Sequence, residues 1–144
     1  MSTESDVTQE EISCACEGEL PRMASYGLEL FNRREFFEAH EALETAWRDE
    51  TGPVRELYRG ILQIAVAYLH IQRGNYRGAV KMFFRSRPWL DPFPDTCRGI
   101  NLLRFRQDYA RVEKLLHRLG PDRLSSFDYD LFKPIDYTER EGNG

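Results

Sequence analysis

The sequence predicts an all-α protein, a compact bundle of about five helices. Apolar residues recur every three or four positions in five segments, which is typical of amphipathic helices. No segment shows the sustained alternation of apolar and polar residues that a half-buried strand requires. Glycine and proline separate several of the segments, and the links are short, so we expect neighbouring helices to form antiparallel hairpins.

The first two predicted helices form one such hairpin. Pro21 suits the first turn of a helix, and the apolar spacing that follows continues to about Arg33. The second helix is expected to begin near Arg34 or Glu35 and to end near Glu50. Thr51-Gly52-Pro53 then stops this helix and opens the next one, because glycine terminates helices and proline fits their first turn.

The third predicted helix, about Val54–Arg73, is apolar nearly all round. A helix without a wide polar face is usually buried, so we expect it to be central in the bundle. Gly74-Asn75 breaks it, and the fourth helix follows at about Tyr76–Arg87.

A proline-rich loop and the fifth helix complete the bundle. Pro88, Pro92 and Pro94 are expected to impose an extended conformation, since proline has no backbone donor and restricts its neighbour. Asn101 is expected to cap the fifth helix, and Gly120-Pro121 to end it.

The chain is expected to hold one domain with a tail at each end. Residues 1–19 are acidic and poor in large apolar side chains, which predicts a mobile tail. Residues 20–136 form the helical domain, whose last part is an irregular or briefly helical strap. Residues 137–144 are expected to be frayed.

The composition agrees with a soluble, cytoplasmic protein. The 144 residues are 41% hydrophobic and 12% aromatic, which is enough for a core. The longest apolar run, Ile64–Leu69, is far short of the ~20 residues that a membrane helix needs, and no secretory signal is recognisable. Cys14, Cys16 and Cys97 are an odd, sparse set that argues against disulfides and fits a reducing compartment. Cys14-Ala15-Cys16 could bind a soft metal, although no further thiolate stands at zinc-site spacing.

Charge is distributed unevenly along the chain. The net charge is −4, but residues 1–57 carry 14 acidic and 5 basic side chains, whereas residues 71–123 carry 12 basic and 5 acidic ones. An adaptor that binds protein or RNA through the basic fourth and fifth helices is one interpretation; solvated helix faces are another. The negative total charge argues against a general nucleic-acid role. The apolar residues Trp89 and Phe93 of the proline-rich loop could form a contact in a homo-oligomer, or they could cap the core. The basic residues are Arg77, Lys81, Arg85, Arg104, Arg111, Lys114 and Arg118.

The second and third predicted helices share a polar cluster. His40 and Trp47 lie on the apolar stripe of the second helix, and Glu44 lies one turn from His40. In an antiparallel hairpin, these side chains can face polar residues of the third helix. The full predicted cluster is His40, Glu44, Trp47, Arg59, Gln63 and His70.

Three interpretations of this cluster stay open. It can be a satisfied structural network, in which case Glu44→Ala is expected to cost roughly 1–3 kcal/mol. It can line a pocket for a small polar ligand, with Trp47 as an aromatic wall. It can also bind a divalent metal through His40, Glu44 and His70, as in a metal-dependent hydrolase, although the sequence lacks the His-Glu-x-x-His motif of zinc peptidases.

Several short motifs together resemble the domain-of-unknown-function family 309. They are Phe31-Asn32, Phe36-Phe37-Glu38-Ala39-His40-Glu41, Leu43-Glu44, Trp47, Gly60-Ile61-Leu62-Gln63-Ile64-Ala65, Tyr68, His70, Gly74-Asn75 and Gly78-Ala79. The resemblance covers about residues 23–119. It implies a compact all-helical domain and no established activity. The motif of that family maps onto most of the polar cluster, which favours the ligand-pocket interpretation slightly without identifying a ligand.

Overall fold

The structure, a computed structural model, describes residues 7–139 and confirms the all-α fold class. No helix within these residues is long and apolar enough to cross a membrane. A two-residue antiparallel hairpin pairs Thr96 with Asn101 and Cys97 with Ile100. In chain order, the elements are α1 (Gln9–Ala15), α2 (Arg22–Asn32), α3 (Phe36–Asp49), α4 (Arg55–Gln72), α5 (Tyr76–Leu90), β1 (Thr96–Cys97), β2 (Ile100–Asn101), α6 (Leu102–Leu119) and 3₁₀ helices at Pro121–Ser126 and Tyr129–Leu131.

The five predicted helices correspond to α2 to α6, and α4 is the central one, as its composition predicts. It packs against both α3 and α5, while α3 also packs against α2. Leu57, Ile61 and Ile64 of α4 are fully buried. Gly60 lies where α4 meets α5, because a Cβ there would be 2.5 Å from the Leu90 side chain. Glycine at this position therefore permits close approach of the two helices.

Polar caps and a left-handed residue mark the helix ends. The Asn101 side chain accepts a hydrogen bond from the Arg104 backbone N–H at 3.0 Å, which confirms the predicted cap of α6. Gly120 ends α6 with φ +70°, a conformation that glycine adopts without strain. Asn75 caps α5 in the same way as Asn101, by accepting from the Gly78 N–H at 3.0 Å.

The prediction that Pro88 begins an extended loop is wrong, because α5 continues through Pro88 to Leu90. Proline removes one backbone donor, but less than one further turn remains. The buried side chains of Ser86 and Leu90 hold this end of the helix against the core. The Arg106 guanidinium donates to the carbonyl oxygens of Leu90 and Phe93 and so satisfies acceptors beyond the helix end. Packing and these hydrogen bonds outweigh the preference of proline.

The described part of the predicted N-terminal tail is helical and fastened to the domain. Thr8 and Glu11 form a reciprocal capping box at the start of α1. Ile12 is buried, and Cys16 is bonded to Cys97. The mobility predicted for residues 1–19 is therefore not seen from Thr8 onward, and residues 1–6 lie outside the described part of the chain.

The strap predicted after α6 closes the aromatic core. The Phe132 ring stacks on Tyr68 with 4.3 Å between centroids and meets Phe36 edge-on at 5.5 Å. The Asn32 side chain accepts from the Ile135 N–H at 2.7 Å. These contacts attach the strap to α2, α3 and α4.

The last described residues continue this attachment. Tyr137 forms an antiparallel bridge with Ile100, and the Thr138 N–H donates to the Gly99 carbonyl oxygen at 2.9 Å. The fraying predicted for residues 137–144 is therefore not seen at Tyr137 and Thr138, and residues 140–144 lie outside the described part.

Candidate functional site

The six residues of the predicted polar cluster lie on α3 and α4, which are packing neighbours. His40 and Glu44 form a solvent-facing pair on α3. His40 Nε2 lies 4.0 Å from Glu44 Oε1, and the two side chains are 28% and 40% exposed. His40 Nδ1 is 3.3 Å from the Phe37 carbonyl oxygen. Water reaches both side chains, so this pair is a weak surface ion pair at most.

Arg59 is held between two tryptophans. Its guanidinium carbon lies 5.2 Å from the centroid of the Trp47 ring and 4.0 Å from that of Trp89. A second cation, Arg55, lies 4.7 Å from the Trp47 ring. Arg59 also donates to Glu56 at 3.4 Å. Cation–π contacts of this kind contribute about 0.5–1 kcal/mol each at partly exposed sites, so this group joins α3, α4 and α5.

Two buried atoms of the cluster have no hydrogen-bond partner within residues 7–139: Trp47 Nε1 and Gln63 Oε1. The first is a donor and the second an acceptor, and they belong to neighbouring helices. A buried polar group without a partner costs about 1–3 kcal/mol. These two atoms are therefore the feature of the cluster that favours a bound polar molecule.

His70 is engaged at the α4–α5 corner. Its Nδ1 lies 3.2 Å from the Asn75 Nδ2, while Asn75 Oδ1 is occupied by the Gly78 N–H. This amide orientation makes Nδ1 of a neutral ring the acceptor. Burial lowers the pKa of His70 below its usual value, and the nearby Arg73 lowers it further. His70 therefore braces the cap of α5 as a neutral imidazole.

The proposed metal-ligand set is not assembled. Among residues 7–139, no three His, Cys, Asp or Glu side chains are grouped so that they could hold a metal ion. His40 and Glu44 lie near each other, but His70 bonds to Asn75 instead. The hydrolase alternative with His40, Glu44 and His70 as ligands thus has no three-ligand centre in the described chain.

Cys16 and Cys97 form a disulfide, which corrects the expectation of ordinary thiols. The two residues are 81 positions apart, so their spacing gave no indication of a pair. Cys14 is a free, exposed thiol. Because Cys16 is oxidised, the Cys14-Ala15-Cys16 motif has only one thiol and cannot bind a metal through both sulfurs.

Arg98, which the sequence did not single out, is the best-connected polar side chain near this disulfide. Its backbone N–H donates to the Cys16 carbonyl oxygen at 2.7 Å. The guanidinium donates to the carbonyl oxygens of Ala15 at 2.8 Å and Glu19 at 3.2 Å. We call the Cys16–Cys97 disulfide together with these Arg98 hydrogen bonds the clasp.

On its other side, Arg98 reaches the helical core. Its Nη1 lies 3.4 Å from Glu50 Oε1 and 3.2 Å from the Tyr58 hydroxyl, and its side chain is only 14% exposed. Burial raises the pKa of Tyr58 to about 12, although Arg98 opposes this rise. Tyr58 is therefore a neutral acceptor for Arg98 at physiological pH. Arg98 and Gly99, with φ of +50° and +83°, form the two-residue turn of the β1–β2 hairpin, which the sequence analysis did not predict.

The outward face of α5 carries what we call the α5 stripe: Arg77, Lys81, Phe84 and Arg85. These residues are spaced i, i+4, i+7 and i+8, which aligns them along one side of the helix. All four are exposed, and Phe84, at 69%, is the most exposed large hydrophobic residue of the described chain. None of the three cations has an ion-pair partner among residues 7–139.

Some exposed arginines outside the stripe do have ion-pair partners, so exposure alone does not leave an arginine unpaired. Arg33 lies 2.6 Å from Glu29, and Arg104 lies 3.9 Å from Asp108. Arg87, also on α5, pairs with Glu113 of α6. Of the other predicted basic residues, Arg111, Lys114 and Arg118 of α6 are exposed and likewise lack an ion-pair partner within the described range.

Comparison with known proteins finds a family match that covers α2, α3, α4 and the first part of α5. Residues 24–82 match the model of a family described as Domain of unknown function (DUF309). The predicted resemblance is confirmed over this segment. We call residues 24–82, which match this family model, the DUF309 segment.

Two relatives extend the comparison. An uncharacterized protein of Aquifex aeolicus (strain VF5) is 31% identical over 101 residues, which are 69% of this chain and 28% of that protein. The uncharacterized protein YpuF of Bacillus subtilis (strain 168) is 37% identical over 62 residues, which are 42% of this chain and 36% of YpuF. The shared region thus spans about a third of each curated relative. Neither the DUF309 description nor these names state an activity.

The DUF309 segment contains the whole polar cluster, part of the α5 stripe and none of the clasp. Arg77 and Lys81 of the α5 stripe lie inside it, whereas Phe84 and Arg85 follow its last residue. The clasp lies outside it at both ends of the chain. The family match therefore identifies the helical framework and leaves the surface features to be interpreted from their own contacts.

Proposed function

We propose that this chain is an adaptor whose α5 stripe binds an acidic segment of another protein. The observation that carries the proposal is the unpaired state of three aligned cations around an exposed aromatic ring. Unpaired surface cations attract anionic partners and accelerate association, while an exposed apolar anchor supplies binding energy that salt does not screen. Both elements occur together on this face.

The geometry of the stripe suits an extended or helical partner. Arg77 and Arg85 are two helical steps of four residues apart, so their Cα atoms are separated by about 12 Å at 1.5 Å per residue. Phe84 lies within this span. An open cleft of about 480 Å³, lined in part by Tyr76, Arg77 and Lys81, lies at the start of the stripe. A partner with carboxylates on either side of one apolar side chain would complement this arrangement.

An acidic protein segment is favoured over nucleic acid by the charge of the whole chain. The net charge is −4, and the acidic first half would repel a long polyanion. A short acidic segment needs only the local field of the stripe, whose range is about 8 Å at physiological salt. This difference between a local and a global field can be measured.

The test is a fluorescence-anisotropy titration with a labelled peptide of glutamate and alanine that has one central leucine. Arg85→Glu is expected to weaken binding about tenfold or more, because it replaces attraction by repulsion. Arg22→Glu is the matched control: it makes the same charge change at an exposed position of α2 and should leave binding nearly unchanged. Phe84→Ala should also weaken binding, whereas Tyr26→Ala, which truncates another exposed aromatic, should not.

Titration with labelled oligouridylate tests the alternative that the α5 stripe binds single-stranded RNA. Tighter binding of the RNA than of the peptide, with loss in Arg85→Glu, would replace the acidic-protein proposal by a single-stranded RNA site. Equal peptide binding by wild type and Arg85→Glu, or no binding by wild type, would contradict the proposal directly.

A second candidate function is a small polar ligand between α3 and α4, and the partnerless Trp47 Nε1 and Gln63 Oε1 favour it. A ligand with one acceptor and one donor would complement them. Native mass spectrometry of freshly purified protein should then show a bound molecule that Gln63→Leu removes. Identical spectra for the two proteins, together with unchanged or higher stability of Gln63→Leu, would indicate a purely structural site.

A further inference from the structure

The hydrogen bonds and the covalent cross-link that join the N-terminal segment 8–18 to sequence-distant parts of the described chain all reach one place, the segment 92–98. Gln9 Nε2 donates to the Pro92 carbonyl oxygen at 2.9 Å. The remaining hydrogen bonds from 8–18 to sequence-distant described residues are those of the clasp, which end at Arg98. One covalent bond, the clasp disulfide, reinforces them.

This segment has little stability of its own. Helix α1 has seven residues, and isolated helices shorter than ~12–15 residues are marginal in water. Only Ile12 and Cys16 are buried in the segment. Regions with few buried apolar contacts open at low free-energy cost, so attachment at a distance must hold α1 in place.

The helical core binds Arg98 of the clasp through separate hydrogen bonds. Glu50 and Tyr58 accept from Arg98, and this anchors the β1–β2 hairpin to α3 and α4 without using any residue of segment 8–18. Helices α2 to α6 pack on one another through their own apolar faces. The polar and covalent connections thus run in series, from segment 8–18 to the hairpin and from the hairpin to the core, and Ile12 adds an apolar contact with the core.

From this arrangement we infer that the Cys16–Cys97 disulfide is a redox latch, whose reduction releases segment 8–18 while α2 to α6 stay folded. A cellular dithiol would supply two electrons and two protons: the S–S bond breaks, two thiols form, and the dithiol becomes a disulfide. Because Cys97 is fully buried, exchange follows transient opening of the segment that carries Cys16. Release also removes one wall of a cleft of about 300 Å³, lined in part by Glu17, Gly18 and Thr138.

Hydrogen exchange measured by mass spectrometry tests the latch on the full chain. Cys14→Ser is introduced first, so that the exposed thiol cannot exchange with the disulfide. Oxidised protein is compared with protein reduced by dithiothreitol, whose reduction is verified by the mass gain of two hydrogens. Suitable reporters are the amides of Ile12, Cys16 and Glu17, which donate within or next to α1. The internal reference is the peptide covering residues 61–68 of α4.

Reduction is expected to accelerate exchange of the three reporters by about tenfold or more and to leave the α4 peptide unchanged. Cys16→Ser/Cys97→Ser in the same background should reproduce the reduced pattern without reductant. Unchanged reporters after complete reduction would overturn the inference, because the hydrogen bonds and Ile12 would then hold the segment alone. An equal acceleration of exchange in the α4 peptide would also overturn the inference, because the disulfide would then stabilise the whole fold and not only segment 8–18.

Discussion

Arg98 and the His40–Glu44 pair are the two polar centres of this molecule, and they differ in the number of partners that each side chain has. The Arg98 guanidinium, 14% exposed, donates to four acceptors in three parts of the chain: the N-terminal stretch, the end of α3 and α4. His40 and Glu44 lie 4.0 Å apart on one helix and are both open to water. The centre in a loop is therefore integrated into the fold, and the centre on a helix is not.

This contrast shows that polar residues on a helix face are easy to recognise in a sequence but need not contribute much to the free energy of unfolding. Solvent screens an exposed pair, whereas a buried charge must be matched by partners in the protein. The following three predictions test whether that difference is real, beginning with the centre of greater expected effect.

Arg98→Met is expected to lower the free energy of unfolding by about 3 kcal/mol, because it leaves Glu50, whose side chain is only 17% exposed, without its cation. The carbonyl oxygens of Ala15 and Glu19 lose donors at the same time. Urea unfolding followed by circular dichroism measures the change.

Arg33→Met is the control for this substitution. It removes an arginine whose partner, Glu29, lies only 2.6 Å away but whose side chain is 58% exposed. The expected loss is below about 0.5 kcal/mol despite the shorter distance. Similar losses in the two variants would show that burial of Arg98 does not distinguish it from a surface arginine.

The sequence predicted the helical framework because the information for it is local. The apolar spacing of α2 to α6, the Asn101 cap and the Gly120 stop lie within a few residues of what they determine. Helix α1 had a local signal in the Thr8–Glu11 capping box, but its attachment could not be predicted, because it depends on Cys97 and Arg98, about eighty residues away. Arg98 was missed for the same reason.

The candidate site was predicted in part. The six cluster residues do lie on neighbouring helices. The sequence could not show that Arg59 would stack on Trp89 or that His70 would form a hydrogen bond with Asn75. Those partners come from α5 and from the corner before it. The α5 stripe was visible as basic residues near Phe84, whereas its lack of ion pairs required knowledge of where the acidic side chains lie.

Glu44→Ala is now expected to cost less than about 1 kcal/mol, because an exposed pair at 4.0 Å is worth little. This replaces the larger loss that burial of Glu44 would imply. Thermal unfolding compares it with Glu41→Ala, which removes an exposed carboxylate of the same helix and should be nearly silent. A loss for Glu44→Ala as large as that for Arg98→Met would remove the contrast between the two centres.

The smallest effect is expected from the pH dependence of His70. Its folded-state pKa is lowered, mainly by burial and then by Arg73, so the unfolded chain binds the proton more tightly. The contribution of neutral His70 is therefore complete above the unfolded pKa of about 6.5 and is lost as the pH falls through that value towards the lower folded pKa. Protonation also removes the acceptor for Asn75 Nδ2.

Urea unfolding at a series of pH values between neutral and mildly acidic conditions should reveal this loss as the difference between wild type and His70→Gln. The subtraction removes the contributions of all titratable groups that the two proteins share. Stability of wild type should fall more steeply with acid than that of His70→Gln. Parallel curves would mean that His70 is as open to solvent as His40, and that the α4–α5 corner does not differ from the exposed pair on α3.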